Sequence, residues 1–350
     1  MKHSGARVLG STCSASSITA SHRAMPAEPE FDCDKDLRAR QESLRIAAQH
    51  AIGRALRWFA GVLDAGMKGF DFEATCTALF GACCALRVCP HPADSVFGSE
   101  LRDRLISALL ECWDLHANET LERFRQGAFI PALMAAASLD VPSSRGDRYA
   151  EMVVQQWEAL KNDRGLDTTS MSYWTAEYLA SLLAKQEAPP PPELTAGHWL
   201  SPFFRYTATP GQIQHITQQV AAASTFGSRT LNIDNEYRRQ LEELFLFWAF
   251  YFGKERDLDM ICPVLRSLEY LRCTSVPEFY EGLEVVVQQC KRDGRFGMHE
   301  MATRLHALGL REQSNCDREI YLPLTVASVW TLLECTRPEL SPFRNANVIA

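Results

Sequence analysis

Residues 234–253 read DNEYRRQLEELFLFWAFYFG. Apolar side chains fall at Leu241, Leu244, Phe245, Trp248, Ala249 and Phe252, the i, i+3, i+4, i+7 spacing that lines one face of an α-helix. The same period recurs on both sides. Residues 36–64 carry Leu44, Ile46, Ala47, Ala51, Ala55, Trp58, Phe59 and Val62 on a predicted helix. Residues 99–116 carry Leu101, Leu105, Ala108, Leu109, Cys112 and His116. Further helices are predicted over 72–88, 119–139 with a break or kink at Pro131, 148–161, 170–185, 210–224, 257–273, 277–292, 298–308 and 317–335. Strand-like alternation is nearly absent, so the chain reads as all-α.

The segment EAPPPPEL, residues 187–194, divides this series. Four consecutive prolines exclude helix and predict an extended connection. About six helices fall on each side, joined by short segments holding Gly or Pro, as antiparallel pairs require. Twelve such helices can close into an (α/α)6-like toroid or barrel, form an open solenoid, or make two bundles. The reading adopted is a Ser-, Ala- and Thr-rich disordered tail over 1–35 and one helical domain over 36–340. Its halves, 36–186 and 194–340, are joined by the Pro-rich segment 187–193.

Composition narrows the function classes. The 350 residues are 46% hydrophobic and 23% charged, as in a folded globular chain. The formal net charge of −7 disfavours a nucleic-acid partner, which needs a basic face against phosphate. No apolar run reaches the length of a membrane helix, and the first 30 residues lack the continuous apolar stretch of a signal peptide. Most of the 12 cysteines fall inside apolar helical stretches, which points to buried free thiols and a cytoplasmic location.

Within VVVQQCKRDGRFGMHE, residues 285–300, the positions Gln289, Asp293, Gly294, Phe296 and Gly297 resemble the Q-x-x-D-G-x-[W/F]-G element of α/α-toroid proteins of the terpenoid-cyclase and prenyltransferase type. There the element closes an inner-to-outer helix turn, with glycine in a left-handed conformation and an aromatic ring over the joint. The helix at 234–253, the DGRFG element and REIYLPLTVASVW at 318–330 also make the chain similar to an uncharacterised bacterial family of helical proteins found with secondary-metabolite gene clusters. The resemblance implies a toroid and a role in small-molecule biosynthesis.

The residues themselves offer several candidate sites. The Asp-rich clusters of terpene cyclases are missing; Asp32, Asp34 and Asp36 form only a D-C-D-K-D run in the predicted tail. Cys112 and His116, spaced i, i+4, share a helical face, and Cys89 and His91 stand in the loop before them. With His91 they make a candidate zinc set, set against plain core packing. Glu177, flanked by Tyr173, Trp174 and Tyr178, is a candidate catalytic carboxylate in an aromatic pocket, with Glu243 or Glu269 as a second acid. Asp293, which opens the DGRFG element, and His299, just after it, are candidate catalytic residues; His299 would face a toroid mouth or, equally, be a surface residue on the first turn of the next helix. Trp248 and Trp330 join Tyr173, Trp174 and Tyr178 as candidate substrate-binding aromatics. No nucleophile elbow, phosphate loop or dinucleotide fingerprint occurs.

The expectation is an enzyme or accessory protein of secondary metabolism that binds a small-molecule substrate in a central helical cavity. The alternative is a non-enzymatic helical-repeat scaffold that binds a protein or peptide partner. Neither a membrane nor a nucleic acid is expected as a partner.

Overall fold

The computed structural model describes residues 33–65, 70–89, 92–115, 117–139, 143–162, 166–194, 201, 203–297, 308–309 and 317–344, with only the backbone at 33–36, 92–97 and 115. The described chain is all-α, with twelve helices longer than one turn and no strand. The first half holds α1 (Cys33–Asp64), α2 (Phe72–Val88), α3 (Pro92–Leu115), α4 (Ala117–Arg123), α5 (Phe129–Ala137), α6 (Ser144–Lys161) and α7 (Met171–Ala184). After the proline run come the four-residue α8 (Phe204–Thr207), then α9 (Pro210–Ala223), α10 (Asn235–Glu255), α11 (Leu258–Tyr270), α12 (Pro277–Gln288) and α13 (Leu322–Thr336).

Local chemistry sets most of these ends. Asp71, Ser143, Ser170, Thr209, Asp234 and Asp257 each accept a backbone N–H in the first turn of the helix that follows, satisfying donors that the helix cannot. Thr209 and Gln212 form a reciprocal capping box with Pro210 between them. α7 and α10 stop at Lys185 and Arg256 in left-handed conformations. Residues 187–194 are extended, as four prolines dictate.

Three local expectations are corrected. The break in the predicted helix at 119–139 is not at Pro131 but at the π-turn Phe124–Ala128, where Gly127 adopts φ 133°. Pro131 instead sits in the first turn of α5, where a missing N–H costs nothing. Ile46 points to solvent at 46% exposure; the buried face of α1 is built from Leu44, Ala48, Ala51, Ile52, Ala55, Leu56 and Phe59. α1 begins at Cys33, inside the stretch assigned to the tail. The predicted helix at 298–308 lies, but for Leu308, outside the described residues.

One continuous core runs through both halves. Its spine is α2, α13 and α11, side by side in that order, so the last long helix packs between one from each half. α1 also meets α12 and α13 across the halves. α2 is buried on nearly every side and is apolar all round. The core continues past residue 340. Phe343 is fully buried, 5.7 Å from the Phe80 ring and 5.0 Å from Phe226. Its carbonyl accepts from Tyr178 Oη at 2.9 Å, while Arg87 donates to the carbonyls of Leu340 and Ser138.

The DGRFG element turns as its residue types demand. Gly294 at φ 95° lies against the backbone of Arg54 in α1, and Gly297 at φ 113° lies against Leu324. Phe296 is fully buried, and its N–H donates to Thr325 Oγ1 at 3.1 Å.

Candidate functional site

A cavity of about 400 Å³ opens where α5, α7, α9, α11 and α13 converge. That size suits a small organic molecule. α11 supplies its most polar wall through Asp259, Pro263, Arg266 and Tyr270, spaced i, i+4, i+7 and i+11 and so stacked on one face. α9 adds Gln214, Thr217, Gln218 and Ala221; α7 adds Met171, Ser172 and Thr175. Ile130 and Met134 of α5 and Ala327 and Trp330 of α13 make the apolar side.

The lining is graded by depth. Ser172, Gln214, Gln218 and Asp259 are exposed at the rim. Met134, Pro263, Ala327 and Trp330 are half-buried. Phe226, Thr217 and Tyr270 are buried. Phe226 is held there by an unusual turn in which Thr225, Phe226 and Gly227 all take positive φ, at 52°, 51° and 77°. Two non-glycine residues in that region store strain of about 1–2 kcal/mol each, a feature that clusters at ligand sites.

Arg266 is the only cation among the described residues that line the cavity. Its guanidinium lies 3.9 Å from the centroid of the Trp330 ring. Nη1 donates to Thr331 Oγ1 at 2.6 Å and to the Ala327 carbonyl at 3.4 Å. No described carboxylate lies within ion-pair distance of it, although its charge reaches the buried Glu334 beneath Trp330. Asp259, one of the rim residues, likewise has no ion-pair partner among the described residues; desolvation, then the neighbouring charge of Asp257, pushes its carboxyl up.

Beneath Trp330 lies a buried charge cluster. Trp330 Nε1 donates to Glu334 Oε1 at 3.1 Å, as does Ser341 Oγ at 2.5 Å. Arg344 pairs with Glu334 and Glu269, each at 3.1 Å, and Arg272 pairs with Glu269 at 2.9 Å. Desolvation drives both glutamates above the ordinary carboxyl range, and Arg344 opposes it. Because the folded state then holds these protons more tightly than the unfolded chain, the contribution to stability is full below about pH 4.5 and is lost as pH rises through the folded values. Urea midpoints of the parent and Glu334→Gln proteins between pH 4.5 and 8 should therefore show the parent losing ground as pH rises. A parent that gains ground relative to the variant would contradict the assignment.

The sequence-predicted residues are scattered around this cavity. Trp330 lines it. Glu177 faces the opposite side of α7, ion-paired to Lys161 of α6 at 3.0 Å. Tyr173 packs on Trp157 at 5.5 Å. Trp174 stacks on Tyr178 at 5.2 Å and donates Nε1 to the Pro190 carbonyl at 2.8 Å, tying the proline run to α7. Tyr178 is buried, which pushes its hydroxyl up to about 12. Trp248 is buried in α10, donates to the Arg205 carbonyl at 3.1 Å and borders a second cleft of about 310 Å³. Glu243 is exposed and bound to Arg239 at 2.5 Å, whereas Glu269 belongs to the buried cluster. Asp293 pairs with Arg295 at 2.6 Å, closing its own turn. His299, His91 and His116 lie outside the described residues. Cys112 is half-buried, and burial pushes its thiol up. Among the described residues no three His, Cys, Asp or Glu gather around a metal-sized space, nine cysteines are free thiols, and no helix is long and apolar enough to cross a membrane.

Arg266 and Asp259 were not singled out from sequence. On α11 they read as the solvated stripe of an amphipathic helix; Pro263 between them was the available signal. Neither a family model, a curated protein nor a solved structure matches the chain.

Proposed function

We propose that the chain binds a small organic molecule in the cavity between α5, α7, α9, α11 and α13, as an enzyme or accessory protein of small-molecule biosynthesis. The observation that carries this reading is the cavity's construction: an apolar waist between a polar rim and a floor held by strained backbone, the layout of a ligand pocket. The neutral dye N-phenyl-1-naphthylamine tests it. Its fluorescence should rise on adding the protein and should fall several-fold with Ala327→Trp, which fills the cavity from α13. A dye response that Ala327→Trp leaves unchanged, in a variant with parental helicity, would refute the reading.

A second reading, a scaffold for a protein or peptide, draws on a different surface. Phe203 and Tyr206 are 76% and 70% exposed, and Phe250 and Tyr251 stand open on α10 beside the second cleft. Tyr206 meets Phe247 edge-on at 5.1 Å, and Phe247 stacks on Tyr251 at 6.3 Å. Such a patch on a folded chain is a recognised mark of partner binding. Peptides selected for binding to the chain should lose it on Tyr206→Ala and Tyr251→Ala; peptides indifferent to both would remove this reading.

A further inference from the structure

The polar groups of the cavity identify a ligand class more narrowly than its size does. Arg266 Nη1 is committed to Thr331 and Ala327. A guanidinium held at Nη1 presents its Nε–Nη2 edge, two parallel N–H donors at the spacing of a carboxylate's oxygens. No described residue accepts from that edge. The stacking on Trp330 fixes the plane of the fork, and Trp330 is itself pinned through Glu334 to Arg344. Glu334, beneath Trp330, feels the Arg266 charge but does not reach its Nε–Nη2 edge, so those two donors remain open to an anion in the cavity.

Seven residues toward the rim, Asp259 repeats the situation with opposite sign. Two turns of helix place their Cα atoms about 10 Å apart along the axis. The two charges do not neutralise each other, and the wall between them is Pro263, facing Met134, Phe226 and Ala327. An anion site at depth, an apolar waist and an acceptor at the mouth describe one molecule read from end to end.

We propose that the cavity takes an amphipathic carboxylate bearing an amine at its far end, with the carboxylate on the Nε–Nη2 edge of Arg266, the chain against Trp330 and Phe226, and the ammonium at Asp259. This rests on the cavity being a ligand site. The ligand enters carboxylate first, because its ammonium then stays near water at the exposed rim.

Isothermal titration with 8-aminooctanoate, octanoate, octylamine and 1-octanol tests the assignment, with N-phenyl-1-naphthylamine as a charge-free measure of the cavity. The expected order is 8-aminooctanoate tightest, octanoate next, and octylamine and 1-octanol weakest. Arg266→Gln should weaken both carboxylates by about 10- to 100-fold, the value of a charge-assisted pair, and leave the dye and 1-octanol unchanged. Asp259→Asn should weaken 8-aminooctanoate and leave octanoate unchanged, a second readout at a rim position where folding is not at stake. Carboxylates that bind no better than 1-octanol, or that ignore Arg266→Gln while the dye still binds, would overturn the ligand class and leave the cavity reading standing. Loss of dye binding by the parent protein would overturn both.

Discussion

Arg344→Ala is expected to cost about 3–5 kcal/mol of folding stability, the usual penalty for stripping the partner from a buried charge. The guanidinium reaches three acceptors at once. It pairs with Glu334, which has no exposed surface, and with Glu269, and its Nε donates to the Phe226 carbonyl at 3.1 Å. Without it Glu334 keeps, among the described residues, only the Trp330 Nε1 and Ser341 Oγ hydrogen bonds, and must protonate or draw in water. The loss should therefore be smaller at pH 5 than at pH 8, since protonation relieves a lone carboxylate but not a cavity. Urea unfolding at the two pH values separates these causes. A loss under about 1 kcal/mol, the level of a surface pair, would show that the cluster is solvated. The triple change Arg344→Met, Glu269→Gln, Glu334→Gln should recover much of the stability, because removing every charge removes the desolvation cost with it.

Gly294→Ala is expected to be comparably severe by another route. A Cβ at this position would lie 2.1 Å from the Arg54 carbonyl oxygen and 2.5 Å from its carbon. Both are backbone atoms of α1, so no rotamer change can make room. The positive φ adds its own penalty, and strain plus overpacking together come to about 2–5 kcal/mol. Gly309→Ala is the control: its φ is also positive, at 65°, but no atom of the described residues lies within 4 Å. It should cost only the conformational part, about 1–2 kcal/mol. Equal urea midpoints for the two variants would show that α1 yields easily at Arg54.

These two positions show what could and could not be read from the chain. DGRFG was legible because a left-handed turn needs glycine and a joint needs an aromatic cover, and Gly294 and Phe296 do both. Helix number and type were legible because the apolar period persists through every long segment. Which helices touch was not, since α2, α11 and α13 carry compatible apolar faces and nothing in one sequence ranks their pairings. Of the candidate aromatics only Trp330 lines the main cavity; Tyr178 and Trp248 are buried and Tyr173 and Trp174 half-buried, because a large ring is valued equally in a core and in a pocket. Glu269 looked like one polar residue among many; its burial depends on Arg344, which lay beyond the boundary drawn at 340. Arg266 and Asp259 were hidden for the opposite reason, since a face lining a cavity and a face meeting bulk water carry the same polarity.

The placement of α13 and Phe343 against α2 also bears on how the protein is made. Phe80 and its ring partner Phe343 are separated by 263 residues of synthesis. At ribosomal speeds of about 5–20 residues per second, that is a wait of roughly 13 to 50 s. Throughout it α2, buried on nearly every side in the finished fold, has only first-half elements, chiefly α1, α3 and α5, to cover it. The nascent chain thus carries an apolar helix face without its final cover through most of its own translation.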